Sequence, residues 1–475
     1  MDKTVFVSGN FNVLHPGHLR LFRFARELGN YLIVGVQSDR LAGGAAHVPE
    51  QLRLDGVRSN SFVSDALLID QPAEGVIDRL RPDFVVKGRE HEHRLNPELG
   101  VLNRYGGQLV FSSGDAVFSS LDLIRMDLAG ENRQLSRAPD DYLVRHGIET
   151  RDVVARISEF RTLKVCVIGD LIVDEYITCD PLGMSQEDPT IVVTPVDTER
   201  FIGGAGIVAA HAAGLGAKVY FLSVTGNDEP RAYALRKFRD GGVEAHLVRD
   251  DTRPTTLKQR FRADGKTLLR VSHLHQGAIP ADRQEELLQQ FKSVVSDCQL
   301  MVFSDFNYGC LPQPLVDKLI AVCHEHGVMM VADSQISSQL GDVSRFRGMH
   351  LLTSTEHEVR VSLQNQDDGL VVLAEKLRSE SQATNLVVKL GPEGILLHFK
   401  IREGVVETDR LPALNHSPMD PAGAGDALLV ATAMTMALGL TPWEASLVGI
   451  VAAAIQVSRT GNIPLTQADL IAGMA

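Results

Sequence analysis

The stretch MDPAGAGDALLVATAMTMAL, residues 419–438, governs how most of this chain is read. A glycine turn runs into an unbroken apolar segment, the pattern of a buried helix. The segment is too short to span a bilayer. Gly423, Ala424 and Gly425 form the turn, and Asp426 stands at the start of the helix. Backbone N–H groups at such a start form an anion hole. A carboxylate beside that hole can take a proton from a hydroxyl as it attacks a phosphate. GAGD alone also allows the lesser reading of a plain helix cap after a flexible turn, so its surroundings decide.

Outward from this point, FIGGAGIVAAHAAGLGA (residues 201–217) is a second glycine-rich entry into an apolar helix, and GDLIVDEY (169–176) sets Asp170 and Asp174 at a strand end. The runs KVCVIGD, VYFLSV, LMVFSD, VMMVAD, HLLTS and NLVVKLG alternate with helical segments, which predicts a doubly wound α/β domain with a parallel sheet. TIVVTPVDTERFIGG (190–204) and TTLKQRFRADGKTLLRVSH (255–273) break that rhythm. With a turn at Ala263-Asp264-Gly265, they read as strands of a small β lid.

The N-terminal part repeats the alternation with different motifs. Runs at 5–8, 31–36, 84–87 and 108–111 predict another parallel sheet. Residues 127–162 are polar and include ETRDVVARISEF, spaced as an amphipathic helix. The chain therefore divides into a domain at 1–126, a helical linker at 127–162 and a larger domain at 163–475. VFVSGNFNVLHPGHLRLFRFARELG (5–29) reads as strand, tight glycine turn and helix, with His15 and His18 bracketing the turn. A helix N-terminus already attracts anions, and two imidazoles added there suit a triphosphate; the blander reading is a capped turn with incidental histidines. Glu90, His91, Glu92 and His93 read as a polar loop, because four adjacent residues cannot easily converge on one ion.

The chain has 475 residues, 44% apolar and 23% charged, and a net charge of -13, which disfavours nucleic acid as a partner. Its five cysteines form no CxxC pair, so neither a disulfide framework nor a zinc site is expected. The N-terminus passes directly into a strand-like run without a secretory signal, and no membrane span is visible, so a cytoplasmic location is expected.

Residues 163–475 resemble the ribokinase-like (PfkB) carbohydrate kinases. The resemblance is closest to heptose 7-phosphate kinases, through GMSQEDP (183–189), residues 255–270, FSDFNYG (303–309) and VVKLGPEG (387–394). It implies Asp426 as general base beside Gly423, Ala424 and Gly425. It also implies Asp170, Asp174, Gly203 and Gly204 facing a sugar, Lys258 and Arg270 on its phosphate, and Lys389, Gly391 and Gly394 along ATP. Glu358 would order Mg²⁺ indirectly. The chain departs from the pattern at Ile207, where an asparagine touches the sugar, and at Thr355, where an asparagine precedes the acidic residue.

Residues 1–126 resemble the HxGH nucleotidyltransferases, with a Rossmann-like fold. That likeness implies His15 and His18 as charge-stabilising catalytic residues, Gly9, Asn10, Phe11, Lys87, Ser119 and Ser120 as nucleotide contacts, and Arg53 as a phosphate contact. An ionised sugar phosphate would attack the α-phosphorus of ATP or CTP with Mg²⁺, so no general base is needed. Asn12 replaces a common aspartate, and residues 41–80 contain no lysine. Together the halves resemble the bifunctional heptose 7-phosphate kinase and heptose 1-phosphate nucleotidyltransferase family, in which the kinase comes first; here that order is reversed. The resemblance implies a homodimer formed through the lids, acting on small sugar phosphates and nucleotides. Two other readings stay open: a kinase for another sugar with a regulatory first domain, and a non-enzymatic sugar-phosphate sensor.

Overall fold

Short β-branched runs pair in parallel in both parts of the chain. The computed structural model describes residues 3–14, 16–88, 96–112, 138–185, 188, 190–263, 266–335, 342–415 and 417–474. The chain forms two compact units, Met1–Asn132 and Arg133–Ala475.

In the first unit, β1 (Thr4–Gly9), β2 (Tyr31–Gln37), β3 (Asp65–Ile69), β4 (Phe84–Gly88) and β5 (Gln108–Ser112) form a parallel sheet in the order β3-β2-β1-β4-β5. Alternation along β1 sends Val5 and Val7 to one apolar layer and Phe6 to the other, so the strand is buried on both faces. Strand order reverses beside β1, the place where open α/β sheets bind ligands at strand C-termini. Gly9, Asn10 and Phe11 lie there. Strand β3 was not among the expected runs: its apolar stretch is only Ala66 to Ile69, too short for periodicity to separate strand from helix.

The second unit begins with β6 (Lys164–Gly169), β7 (Leu171–Met184), β8 (Ile191–Gly204), β9 (Lys218–Thr225), β10 (Val243–Arg249), β11 (Thr256–Ala263) and β12 (Lys266–His273). It continues with β13 (Leu300–Asp305), β14 (Met329–Ser334), β15 (Leu351–Thr355), β16 (Asn385–Lys389), β17 (Ile395–Arg402) and β18 (Val405–Leu411). Nine of these form the sheet β10-β9-β6-β13-β14-β15-β16-β17-β18, parallel except for its last two strands. The lid is a separate four-stranded sheet, β12-β11-β7-β8. Only Asp170 separates β6 from β7, so one continuous path leads from the main sheet into the lid. The expected turn at 263–265 falls partly outside the described residues.

The helices Ala424–Ala437 and Pro442–Gln456 are buried on nearly every side, which explains their lack of a polar face. The segment read as a linker does more than connect. Its helices Asp140–His146 and Thr150–Ile157 place Tyr142, Ile148, Val153 and Ile157 in the same apolar core as Trp443 and Leu470. The Tyr142 hydroxyl donates to the Trp443 carbonyl at 2.9 Å. All five cysteines are buried and free. Among the described residues, no helix is long and apolar enough to cross a membrane.

Candidate functional site

Gly423, at φ 77°, caps the helix Ala424–Ala437 and leaves Asp426 in its first turn. The Asp426 side chain is 8% exposed. Burial pushes its carboxyl up to about 7, and the negative charges of Asp333 and Asp174 add to the shift while Lys389 and Lys258 oppose it. Asp333, at the end of β14, accepts from Lys389 Nζ at 2.5 Å and from Thr353 Oγ1 at 2.8 Å. Burial works against the Lys389 ammonium, but Asp333, Glu358 and Asp426 outweigh it and hold its pKa above the usual value. A side chain at Gly425 would meet Lys389 Nζ at 3.3 Å, so the ammonium lies directly beside the GAGD turn.

The lid closes the other side of this cluster. On neighbouring strands, Lys258 pairs in register with Asp174. Lys258 Nζ sits 5.5 Å from the Phe306 ring centre and 5.0 Å from that of Tyr308. Asp174 accepts from Arg260 Nη2 at 3.4 Å and from Asn462 Nδ2 at 3.3 Å. Burial raises the Asp174 pKa, although Arg260 and Lys258 pull against it. A Cβ on Gly203 would fall 2.2 Å from Asp174 Oδ2, and one on Gly204 would fall 2.4 Å from the Asp170 carbonyl, so neither glycine can be enlarged.

The structure therefore brings Asp426, Asp174, Lys258, Lys389 and the glycines together. Other expected contacts are engaged elsewhere. Asp170 accepts from the backbone N–H groups of Phe306, Tyr308 and Cys310, so it clamps that loop rather than facing a sugar. Burial, reinforced by Asp305, lifts its carboxyl to about 6. Ile207 is fully buried and cannot stand in for a sugar-touching asparagine. Glu358 and Thr355 form a reciprocal capping box at the helix Glu356–Ser362, so the expected metal-ordering carboxylate is serving as a local cap. Arg270 is exposed on β12, opposite Arg260. Sequence reasoning passed over Arg260, which points to Asp174 and lies over the Tyr176 ring. It also missed Asp333, whose position at the end of VMMVAD was the available signal. Gly391 and Gly394 both have positive φ and flank β16 and β17.

Among the described residues, no three His, Cys, Asp or Glu side chains gather into a metal cage. Asp333 Oδ1 is buried beside the Asp426 cluster without a hydrogen-bond partner among the described residues. Such an oxygen fits Mg²⁺ carried in on nucleotide phosphates, the ion's ordinary mode of binding.

In the first unit, His18 lies in the opening turns of the helix Pro16–Leu28, its ring edge-on to Phe11 at 5.0 Å. Phe11 has a positive φ of 49° and follows Gly9, whose Cα faces the Phe11 ring. Asn10 Oδ1 is buried without a partner among the described residues. Asn12 braces the following loop, donating to the Ala45 carbonyl and accepting from the His47 N–H. Arg53 is 2% exposed and donates to the carbonyls of Val48, Asn10 and Gln37 and to Asp39. It is a buried clamp, which corrects the expectation of a phosphate contact. Lys87 is paired with Glu98 at 2.8 Å. His15, Ser119, Ser120 and the loop of His91 and His93 lie outside the described residues.

Comparison with known proteins accounts for both units. Residues 162–468 match the model of the pfkB family carbohydrate kinases, and residues 6–99 match the cytidylyltransferase-like model. The fold and the GAGD site thus define a sugar-kinase architecture, and this chain belongs to the pfkB family of carbohydrate kinases. It is 29% identical over 331 residues to the bifunctional protein HldE of Geobacter metallireducens, covering 69% of this chain and 66% of that protein. With the HldE of Syntrophotalea carbinolica it shares 30% identity over 325 residues, covering 67% and 64%. The chain thus matches just under two thirds of the length of these curated relatives. Among solved structures, ribokinase from Thermotoga maritima aligns with TM-score 0.52 and 20% identity over 66% of this chain and 99% of its own. Phosphofructokinase-2 from Escherichia coli aligns with TM-score 0.53 and 17% identity over 66% and 98%. These last two likenesses concern the fold.

Proposed function

We propose that the second unit transfers the γ-phosphoryl group of ATP to the anomeric hydroxyl of a sugar phosphate resembling heptose 7-phosphate. The first unit then transfers a nucleotidyl group from ATP or CTP to a sugar 1-phosphate and releases pyrophosphate. The observation that carries this reading is Asp426, buried at a helix start among Asp174, Lys258, Asp333 and Lys389. Asp426 takes the hydroxyl proton as the new O–P bond forms, the bond from the γ-phosphorus to the bridging oxygen breaks, and ADP leaves. N–H groups of the first helical turn face the developing charge. Bound Mg²⁺ would neutralise charge on the phosphates. Lys258, backed by two aromatic rings, and Arg260 with Arg270 favour an anionic group on the lid side of the sugar. The relatives named HldE support both halves of the proposal. The exposed apolar residues Leu182, Met184, Ile191 and Val196 on the lid support pairing of two copies there.

Mass-spectrometric product analysis tests the proposal, using the whole chain with Mg²⁺, ATP or CTP, and a panel of sugar phosphates. Heptose bisphosphate from heptose 7-phosphate, and a nucleotide-heptose from heptose 1-phosphate, are the expected products. Turnover of other sugars alone would retain the kinase and reject the heptose. His18→Ala is expected to abolish pyrophosphate release and leave phosphoryl transfer intact; unchanged pyrophosphate release would reject the first unit's assignment.

A further inference from the structure

Asn462 belongs to neither glycine motif, yet its carboxamide lies between them. Nδ2 donates to Asp174 Oδ2 at 3.3 Å, while Oδ1 is buried and has no hydrogen-bond partner among the described residues. A Cβ placed on Gly423 would stand 2.4 Å from Oδ1, so that oxygen is pressed against the Cα of the residue that caps the Asp426 helix. A Cβ on Gly203 would stand 3.3 Å from Nδ2. Gly203 and Gly423, one from each motif, thus leave room for the same amide. The backbone at Asn462 is fixed as well: the Gly461 N–H donates to Asp420, and the Gly461 carbonyl accepts from the buried Gln456 amide at 2.9 Å. Gln456 also reaches the Ala422 carbonyl, and Asp420 receives both the Tyr176 hydroxyl of the lid and the Ala422 N–H. Reversing the Asn462 amide would set its oxygen against the Asp174 carboxylate, so the observed orientation is the favourable one.

We infer that Asn462 is a positioning residue of the kinase site, its carboxamide bridging the lid carboxylate Asp174 and the glycine cap of the Asp426 helix. This assignment rests on the proposed phosphoryl transfer. It links the sugar side of the site to its phosphate side through one small rigid group. A buried oxygen without a conventional donor is costly, and it is tolerated here where the amide holds two loops in register. The groups facing Asp426 come from four strands: Asp174 on β7, Lys258 on β11, Asp333 on β14 and Lys389 on β16.

The test compares Asn462→Ala and the isosteric Asn462→Asp with wild type, as the whole chain. Misplacement by a fraction of an ångström in such a site lowers turnover by about tenfold to a hundredfold. Asn462→Ala is therefore expected to lower kcat by that amount and raise KM for the sugar, with KM for ATP within about twofold. Asn462→Asp adds a negative charge beside Asp174, so the acidic limb of the kcat/KM profile should move to higher pH. Carboxyl ¹³C NMR of Asp426 should show the same upward movement without any turnover. If Asn462→Ala does not fold, Asn462→Ser provides the same kinetic comparison. The inference is overturned if the variants lose only thermal stability, with kcat, sugar KM and the Asp426 titration as in wild type. If wild type phosphorylates no sugar, the kinase reading fails, while the NMR titration still decides whether Asn462 acts on Asp426.

Discussion

Asp426 holds its proton more firmly in the folded chain than an ordinary aspartate does, because burial and Asp333 both disfavour its charge. A base must be unprotonated, so kcat/KM of the free kinase is expected to fall tenfold per pH unit below about 7 and to level off above it. The linkage to stability has the opposite sign. The folded pKa lies above the unfolded one, so the group favours folding at low pH, and that contribution is lost as pH rises through about 7. Asp426→Asn should therefore lose about 10²- to 10⁴-fold in phosphoryl transfer while melting at a higher temperature than wild type at pH 8. Calorimetry beside a coupled assay checks both halves. Lys389 presents the reverse case. Lys389→Met leaves Asp333 buried without its cation, and urea unfolding of the second unit should show a loss of about 3–5 kcal/mol.

At the scale of elements, the pair Thr355 and Glu358 shows how one spacing supports two readings. Placed against a family motif, the acidic residue orders a metal; as S/T-x-x-E before a helix, the pair is a capping box, and the hydrogen bonds are those of the box. Thr355→Ala should lower stability by about 1 kcal/mol in urea titrations and leave the Mg²⁺ concentration for half-maximal turnover unchanged. A shifted Mg²⁺ requirement would restore the metal role. The glycine turns and the doubly buried strands were legible because each has a strong local signature: a turn residue with special φ, or a continuous apolar run. Strand β3 and the hairpin of β17 and β18 were less legible, since β3 is short, β18 carries polar exposed positions at its middle, and edge pairing depends on tertiary context. Arg53 and Asp170 were misread for a related reason. Residue type announces a phosphate or sugar contact, but only the fold shows which backbone groups have already claimed the side chain.

For the whole molecule, the division into two α/β bodies was visible in the alternation of runs and in the two unlike glycine motifs. The place of the intervening helices was not, because their few apolar residues, Tyr142, Ile148, Val153 and Ile157, find partners more than 250 positions later. A chain starting at residue 163 should accordingly be expressed poorly or melt well below one starting at 138, although both contain every proposed kinase residue. Thermal unfolding of the two truncations decides the point; equal melting temperatures would return the segment to the role of a tether. The distribution of cysteines has a practical consequence. The first unit has none, and the five in the second are buried, Cys310 beside the loop that Asp170 clamps. A thiol reagent can therefore modify this chain only when the second unit opens, and its reaction rate is a clock for that opening alone. Slower labelling of Cys310 with sugar and nucleotide bound would time the closing of the lid in a molecule that carries no added probe.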